Sequence, residues 1–212
     1  MISPTTVIVL AAGLGRRFAG RGPKLAAHVG ESDDAGQSVL GMTLHNAIAS
    51  GLPVVVVTTA ELAPLARAQL AARDVIVVPT QAAGRGLGDS IATGVSARAG
   101  AAGWVLLPAD MPRVPASAVK QVAQALASHA VAYPQYRGLR GHPVGFSAEL
   151  YSELVALSGD EGARRLVARY PAQAVDVDDE GVLIDIDTVQ DLAALRAVKG
   201  GSAAAHPPRV RG

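Results

Sequence analysis

The chain has 212 residues, 50% of them apolar but only 3% aromatic, and its 19 basic and 18 acidic side chains leave a net charge of +1. Such a balance offers no chain-wide positive field to nucleic acid or a membrane surface, and the absence of cysteine excludes disulfides, thiolate metal sites and cysteine nucleophiles. The length suits one α/β domain with an aliphatic core, the composition of buried strands lying under helices.

From the N-terminus, strand-like and helix-like segments alternate. Residues 6–10 form a β-branched apolar run closed by Gly13 and Gly15, which predicts a buried first strand. The apolar run 7–12 is too short to span a bilayer and no basic residue precedes it, so neither an anchor nor a secretory signal is expected and the protein reads as soluble and cytoplasmic. Leu40, Leu44, Ala47 and Ile48 fall at helical spacing and predict a helix over 38–50, ended by Gly51. Pro53 opens a strand at 54–57. A helix at 61–72 and a strand at 75–78, stopped by Pro79, follow. A helix is expected at 89–98, then a strand at 103–107 running into Pro108-Ala109-Asp110-Met111-Pro112, then a helix from Pro115 to about residue 128. Beyond it come short strands at 130–133 and 143–147, helices at 148–156 and 161–170, strands at 174–177 and 182–186, and a last helix at 189–198.

This alternation predicts an α/β fold, a three-layer α/β/α sandwich around a mostly parallel sheet. No internal repeat or interdomain linker interrupts it, so residues 1–199 read as one domain. The polar loop 30–36 and the Gly/Ala/Pro tail 200–212 read as flexible.

In an open α/β sheet, ligands bind beyond the carboxyl ends of the strands. Two such ends carry unusual chemistry. The first is Leu10-Ala11-Ala12-Gly13-Leu14-Gly15-Arg16-Arg17-Phe18, followed by Pro23-Lys24. Small residues let the backbone approach a ligand, its N–H groups suit phosphate oxygens, and Arg17 and Lys24 add positive charge. Familiar phosphate fingerprints do not fit. Phe18 stands where a dinucleotide-binding turn needs glycine, and Lys24 lies between Pro23 and Leu25 rather than in Gly-Lys-Ser/Thr. A plain turn with solvated basic residues is the competing reading. At the second strand end, Asp110 is a natural hard ligand for Mg²⁺, although Asp is also common where chains turn.

Together these segments resemble the nucleotidyltransferase family that includes the molybdenum-cofactor cytidylyl- and guanylyltransferases, the MobA-like proteins. That family opens with Leu-Ala-Ala/Gly-Gly-x-Ser/Gly-x-Arg-Met/Phe-Gly and a following Lys, matched here by Leu10, Ala11, Ala12, Gly13, Gly15, Arg17, Phe18 and Lys24. Ala19 departs from the usual glycine. The family's Asp-x-Pro is Asp110-Met111-Pro112, and Gly86-Leu87-Gly88-Asp89-Ser90-Ile91 resembles the segment that approaches base and ribose. Arg140-Gly141-His142-Pro143-Val144-Gly145-Phe146 and Gly159-Asp160-Glu161-Gly162-Ala163-Arg164 resemble the cytidylyl branch, and Asp185-Ile186-Asp187-Thr188 with Asp191-Leu192 resembles the closing motif. The resemblance covers about residues 7–195, with its blocks in the family's order.

The resemblance implies a Rossmann-like sheet of the nucleotide-diphospho-sugar transferase type and transfer of CMP from CTP to the phosphate of molybdopterin, with release of pyrophosphate. It implies Lys24, Arg17 and Asp110 as catalytic residues. Leu10, Ala11, Ala12, Gly13, Gly15 and Ser90 join Arg17, Lys24 and Asp110 in binding nucleotide. His142 and Arg164 bind the acceptor, and Asp110 and Asp187 hold Mg²⁺. A recipient apoenzyme is a further implied partner. GTP, or a sugar or polyol phosphate, are the alternative substrates.

Nucleotidyl transfer brings two anions together, so the site must neutralise charge and align them. The acceptor phosphate is already a nucleophile near neutral pH, which fits motif loops without an obvious His or Glu base. Plainer readings stand beside several assignments. His142 in a Gly-Pro turn suits a structural role equally well, Asp160 suits a helix N-cap, and Arg164 suits the surface. Alternation along an expected strand favours Asp187 over Asp185 as the ligand. His28, His45, His129 and His206 have no metal-ligand spacing.

Two other function classes compete. Gly88-Asp89-Ser90-Ile91 resembles a serine-hydrolase block, but Ala92 breaks the nucleophile-elbow pattern. A non-enzymatic molybdenum-cofactor carrier or chaperone would not need Lys24 and Asp110 together. Deleting residues 200–212 should leave melting temperature and turnover unchanged; a substantial loss of either would show that the tail docks.

Overall fold

The computed structural model describes residues 4–13, 18, 22–29, 37–79, 86–160 and 162–199. In chain order its elements are β1 (Thr6–Ala11), α1 (Val39–Ala49), β2 (Val54–Thr58), α2 (Ala63–Arg67), β3 (Val75–Val77), α3 (Leu87–Ser96), β4 (Gly103–Pro108), α4 (Ala116–Ala125), β5 (Val131–Tyr136), β6 (Leu139–Arg140), β7 (Val144–Ser147), α5 (Tyr151–Val155), α6 (Arg164–Arg169), β8 (Ala172–Asp176) and α7 (Val189–Lys199). They build one eight-stranded sheet in the order β3-β2-β1-β4-β7-β5-β6, with β8 pairing β5.

The sheet has two characters. β3, β2, β1 and β4 are parallel neighbours, whereas β4–β7, β7–β5 and β5–β6 are antiparallel. Along β1 the side chains alternate between faces, as the pleat requires. Val7, Val9 and Ala11 join the core under α1, α2, α4 and α7, while Ile8 packs with residues of α3, α5 and α6. Covering helices on both faces make the α/β/α sandwich expected from the alternation. Because β1 and β4 are adjacent and parallel, their carboxyl ends lie side by side: Leu10 pairs with Pro108, and the Ala109 amide donates to the Leu10 carbonyl at 3.1 Å.

Local chemistry sets several boundaries. Ser38 caps α1, its Oγ accepting from the Gly41 amide at 3.0 Å, and Gly51 follows the helix with φ +75°. Residues 61–72 yield only the short α2, which opens on Pro64 in its first turn, followed by a 3-10 turn at Ala72–Asp74. The segment 148–156 divides into a 3-10 turn and α5, and 161–170 contributes only Arg164–Arg169.

Two expectations need correction, and one hairpin was not expected. Residues 182–186 are not a strand: Glu180–Leu183 form a 3-10 turn, in which the Asp179 carboxylate accepts from the Gly181 amide at 2.7 Å and Gly181 lies against the Arg113 carbonyl. Their alternating apolar residues imitate strand periodicity, but Val182 is buried by this turn and gives its carbonyl to the His142 amide at 2.8 Å. Asp160 does not cap α6, whose N-cap is Ala163. A hairpin unseen in the sequence joins β5 to β6 through Arg137 and Gly138, both at positive φ (50° and 80°), the backbone of a primed turn without its usual Asn-Gly pair.

No described helix is long and apolar enough to cross a membrane. The tail 200–212 and the loop 30–36 lie outside the described residues.

Close packing of α3 on the sheet gives a stability test. A Cβ at Gly94 would lie 2.6 Å from Ile8 Cγ2 and 3.0 Å from Val57 Cγ2, whereas one at Gly100 would meet nothing within 4 Å. Gly94→Ala should therefore cost about 1–3 kcal/mol in urea unfolding, and Gly100→Ala should be near neutral.

Candidate active site

Lys24 is held by a short 3-10 turn, Lys24–Ala26, whose neighbour Leu25 is buried in the core on the α1 side. Its side chain reaches the carboxyl end of β4, where Nζ donates to Asp110 Oδ2 at 2.7 Å and to Asp187 Oδ1 at 3.3 Å. The three side chains are little exposed: 10% for Lys24, 25% for Asp110 and 11% for Asp187.

Neighbouring elements fix each carboxylate. α1 braces the Asp110 loop: Thr43 Oγ1 donates to the Ala109 carbonyl at 2.9 Å, and Asn46 Nδ2 to the Pro112 and Val114 carbonyls at 2.9 and 3.1 Å. The Asp110 carbonyl accepts from the Ile186 amide at 2.8 Å, tying the two motif segments together. Asp187 precedes a capping box at the start of α7. The Asp191 carboxylate accepts from the Asp187 and Thr188 amides at 3.0 and 2.7 Å, and Thr188 Oγ1 accepts from the Asp191 amide at 3.2 Å. Asp185 is exposed, and it is Asp187 that meets Lys24.

Beyond β1, Ala11 and Ala12 are buried and Gly13 is exposed with open space where a Cβ would be. Gly15 and Arg17 lie outside the described residues. Ala12 is 2% exposed and its methyl packs with Ile8, Val57 and Ile91. Any effect of Ala12 on base choice therefore passes through the position of the loop rather than direct contact.

The glycines of two further motifs serve close packing. The Gly88 amide donates to the Gly159 carbonyl at 2.8 Å, and Asp89 Oδ2 accepts from the Gly159 amide at 3.0 Å. A Cβ at Gly88 would lie 2.8 Å from the Ser158 backbone, and Gly86, at φ +118°, lies against Gly159 and Asp160. Ser90 is 9% exposed within α3, unlike an exposed nucleophile at a strand-to-helix corner.

On the β5–β6 side, the Arg140 guanidinium stacks on Tyr133, 4.8 Å from the ring centroid. Burial lowers the pKa of Arg140; Tyr133 offsets this, and the charge of Arg164 at the start of α6 adds to it. His142 feels the charges of both Arg140 and Asp110. Its side chain has open surface, but crowding by the protein and then the Arg140 charge push its imidazole down to about 4, against the pull of Asp110. Solvent contact weakens the crowding without changing its sign, so the ring is neutral at pH 7. The backbone of His142 is structural, donating to Val182, while its side chain remains available to a ligand.

Sequence reading passed over several residues. Thr43 and Asn46 belong to no motif, and only the position of the Asp110 loop shows their use. Thr58 Oγ1 and Thr59 Oγ1 at the end of β2 are buried without a hydrogen-bond partner among the described residues, and Thr58 is in register with Ala11. Such orphaned hydroxyls are uncommon in protein interiors.

The donor set fits a divalent cation. Two carboxylates already converge on one cationic atom, Nζ, and no group of three or more His, Asp or Glu side chains that could hold a metal occurs among the described residues. Two protein oxygens with the remaining positions left to water and phosphate is the usual manner of Mg²⁺ binding.

A family model described as the MobA-like NTP transferase domain matches residues 7–175. The purine catabolism protein PucB of Bacillus subtilis (strain 168) is 36% identical over 121 residues, which are 55% of this chain and 58% of PucB. The chain thus spans somewhat over half the length of that relative. Among solved structures, Rv0371c of Mycobacterium tuberculosis H37Rv is 28% identical at a TM-score of 0.73, with 92% of this chain and 98% of that one covered. A second structure of it, in complex with manganese, is 29% identical at a TM-score of 0.71, covering 91% and 98%. A nucleotidyl transferase from Methanothermobacter thermautotroptrophicus shares the fold at a TM-score of 0.74 and 20% identity, over 92% of this chain and 97% of that one.

The Thr58 hydroxyl yields a prediction. An unpaired buried hydroxyl carries a desolvation penalty of about 1–3 kcal/mol, so Thr58→Val should keep or raise the melting temperature. A clear fall would reveal a structural bond, and a selective loss of nucleotide affinity would mark the hydroxyl as a ligand contact.

Proposed function

We propose, on the premise that this chain belongs to the MobA-like NTP transferase domain family, that it transfers CMP from CTP to the phosphate of molybdopterin and releases pyrophosphate. Nucleotidyl transfer is the family's chemistry. The observation that carries the site assignment is the convergence of Lys24 on Asp110 and Asp187, which are 86 and 163 residues away in sequence.

In this reading the triphosphate lies along the Leu10–Gly13 turn, with Arg17 and Lys24 holding its phosphates and Ser90 bordering the nucleotide. The acceptor approaches from the side of His142 and Arg164, where Arg140 adds a third polar group. An oxygen of the acceptor phosphate forms a bond to the α-phosphorus. The bond from that phosphorus to the bridging oxygen breaks, and pyrophosphate leaves with the electron pair. The nucleophile is already anionic, so neutral His142 serves as a hydrogen-bonding group and not as a base. Asp110 and Asp187 would hold Mg²⁺; that a mycobacterial structural neighbour is in complex with manganese supports a divalent cation in general. When bound, the cation neutralises charge on the phosphoryl oxygens.

Cytidine is favoured by the likeness of Leu10-Ala11-Ala12-Gly13, Gly141-His142-Pro143 and the Gly159–Arg164 segment to the cytidylyl branch. Because Ala12 is buried and acts on the base only through the position of the loop, GTP is disfavoured rather than forbidden.

The decisive experiment offers CTP and GTP at equal concentration with molybdopterin and Mg²⁺, and follows pyrophosphate and the nucleotide joined to the acceptor. Cytidylyl transfer is expected, with turnover lower by orders of magnitude in folded Asp110→Asn. Preferential guanylyl transfer would sink the cytidine assignment alone. Absence of pyrophosphate with every triphosphate would favour a carrier.

A further inference from the structure

We propose that Lys24 keeps the Asp110–Asp187 pair closed to divalent metal until a nucleoside triphosphate arrives, so that metal and nucleotide load together rather than metal first. The inference rests on the metal reading of that pair.

The ammonium sits where a cation between the two carboxylates would sit, 2.7 Å from Asp110 Oδ2 and 3.3 Å from Asp187 Oδ1. All three side chains are largely withdrawn from water, so charges there are screened less than at an open surface. Of the described side chains that meet here, two carboxylates and one ammonium sum to a single negative charge. A dication added beside Lys24 would reverse it to a net positive charge, with two cations competing for the same oxygens. To admit the metal, Lys24 must move to another anion. The neighbouring carboxylate of Asp191 already accepts from two amides and the Thr188 hydroxyl. His142, whose imidazole is neutral or cationic, offers no negative charge. Among the described residues no third metal-ligating acid completes the pair.

A triphosphate supplies what is missing. Its oxygens give the ammonium a new anionic partner and the metal its remaining ligands. The lysine has a flexible four-carbon stem, and its backbone is fixed by the 3-10 turn and buried Leu25. Exchange from carboxylate to phosphate therefore needs rotation of one side chain, with the surrounding fold unchanged. Lys24 thus does two things in sequence: it stands in for the metal in the empty site, and it binds phosphate in the loaded one. The acceptor side, Arg140, Arg164 and His142, takes no part in the exchange.

The test is Mn²⁺ binding to the full chain, read from the electron paramagnetic resonance signal of free Mn²⁺, with and without a saturating non-hydrolysable CTP or GTP analogue. Wild type should bind Mn²⁺ at least tenfold more weakly without nucleotide than with it. Lys24→Met should bind Mn²⁺ at least tenfold more tightly than wild type in the nucleotide-free state. Adding Asp110→Asn to that variant should remove the gain, which a general change in surface charge would not do. Equal nucleotide-free binding by wild type and Lys24→Met overturns the proposal and leaves the metal site standing. No Mn²⁺ binding by either protein, even with nucleotide, overturns the metal site and this inference together. If Lys24→Met does not fold, wild type decides: Mn²⁺ alone binding as tightly as Mn²⁺ with the analogue overturns the proposal.

Discussion

Three distant stretches of chain meet at one ammonium group. At an effective dielectric near 20, unit charges about 4 Å apart attract by roughly 4 kcal/mol, but withdrawing such ions from water costs several kcal/mol each. The net stabilisation is therefore small against the gross terms. What the arrangement secures is position: Lys24 from the loop after β1, Asp110 from the end of β4 and Asp187 from the approach to α7 are drawn to one place. The rest of the fold holds these stretches where the contact can form.

The Asp110 loop is held by neutral groups and the chain at Asp187 by the Asp191 carboxylate. Thr43 and Asn46 on α1 bind three carbonyls of the loop that carries Asp110, and a capping box orders the chain at Asp187. Hydrogen bonds to backbone carbonyls set a loop's path without adding charge to the site. The proposed change of partner by Lys24 would then leave the Asp110 loop in place.

A second division runs through the motifs. Gly86, Gly88 and Gly159 permit the start of α3 to pack backbone to backbone against the segment before α6, and Asp89 joins them. On the opposite side Arg140, Tyr133, Arg164 and His142 form a polar, cation-bearing flank beside Asp110. The proposed site thus passes from the small residues at the end of β1, across the paired carboxylates, to the flank proposed for the acceptor.

Much of this was legible in the chain itself. The β-branched runs at β1, β2 and β4 and the periodicity of α1 declare buried strands and covering helices, because burial on a sheet face and on a helix stripe imposes different spacings. Residue chemistry singled out Lys24 and Asp110, and the resemblance of the closing motif added Asp187. The sequence alone did not reveal that Lys24 lies between the two acids, since contacts over 86 and 163 residues depend on strand order and on the turns that bring β1, β4 and α7 together. Nor did it reveal that residues 182–186 leave the sheet. Their alternation satisfies the pattern of a strand, but the Asp179–Gly181 turn and the burial of Val182 against the Arg140–His142 segment take precedence. Local pattern determines which face of an element is apolar; the packing of distant elements decides which polar side chains share a place.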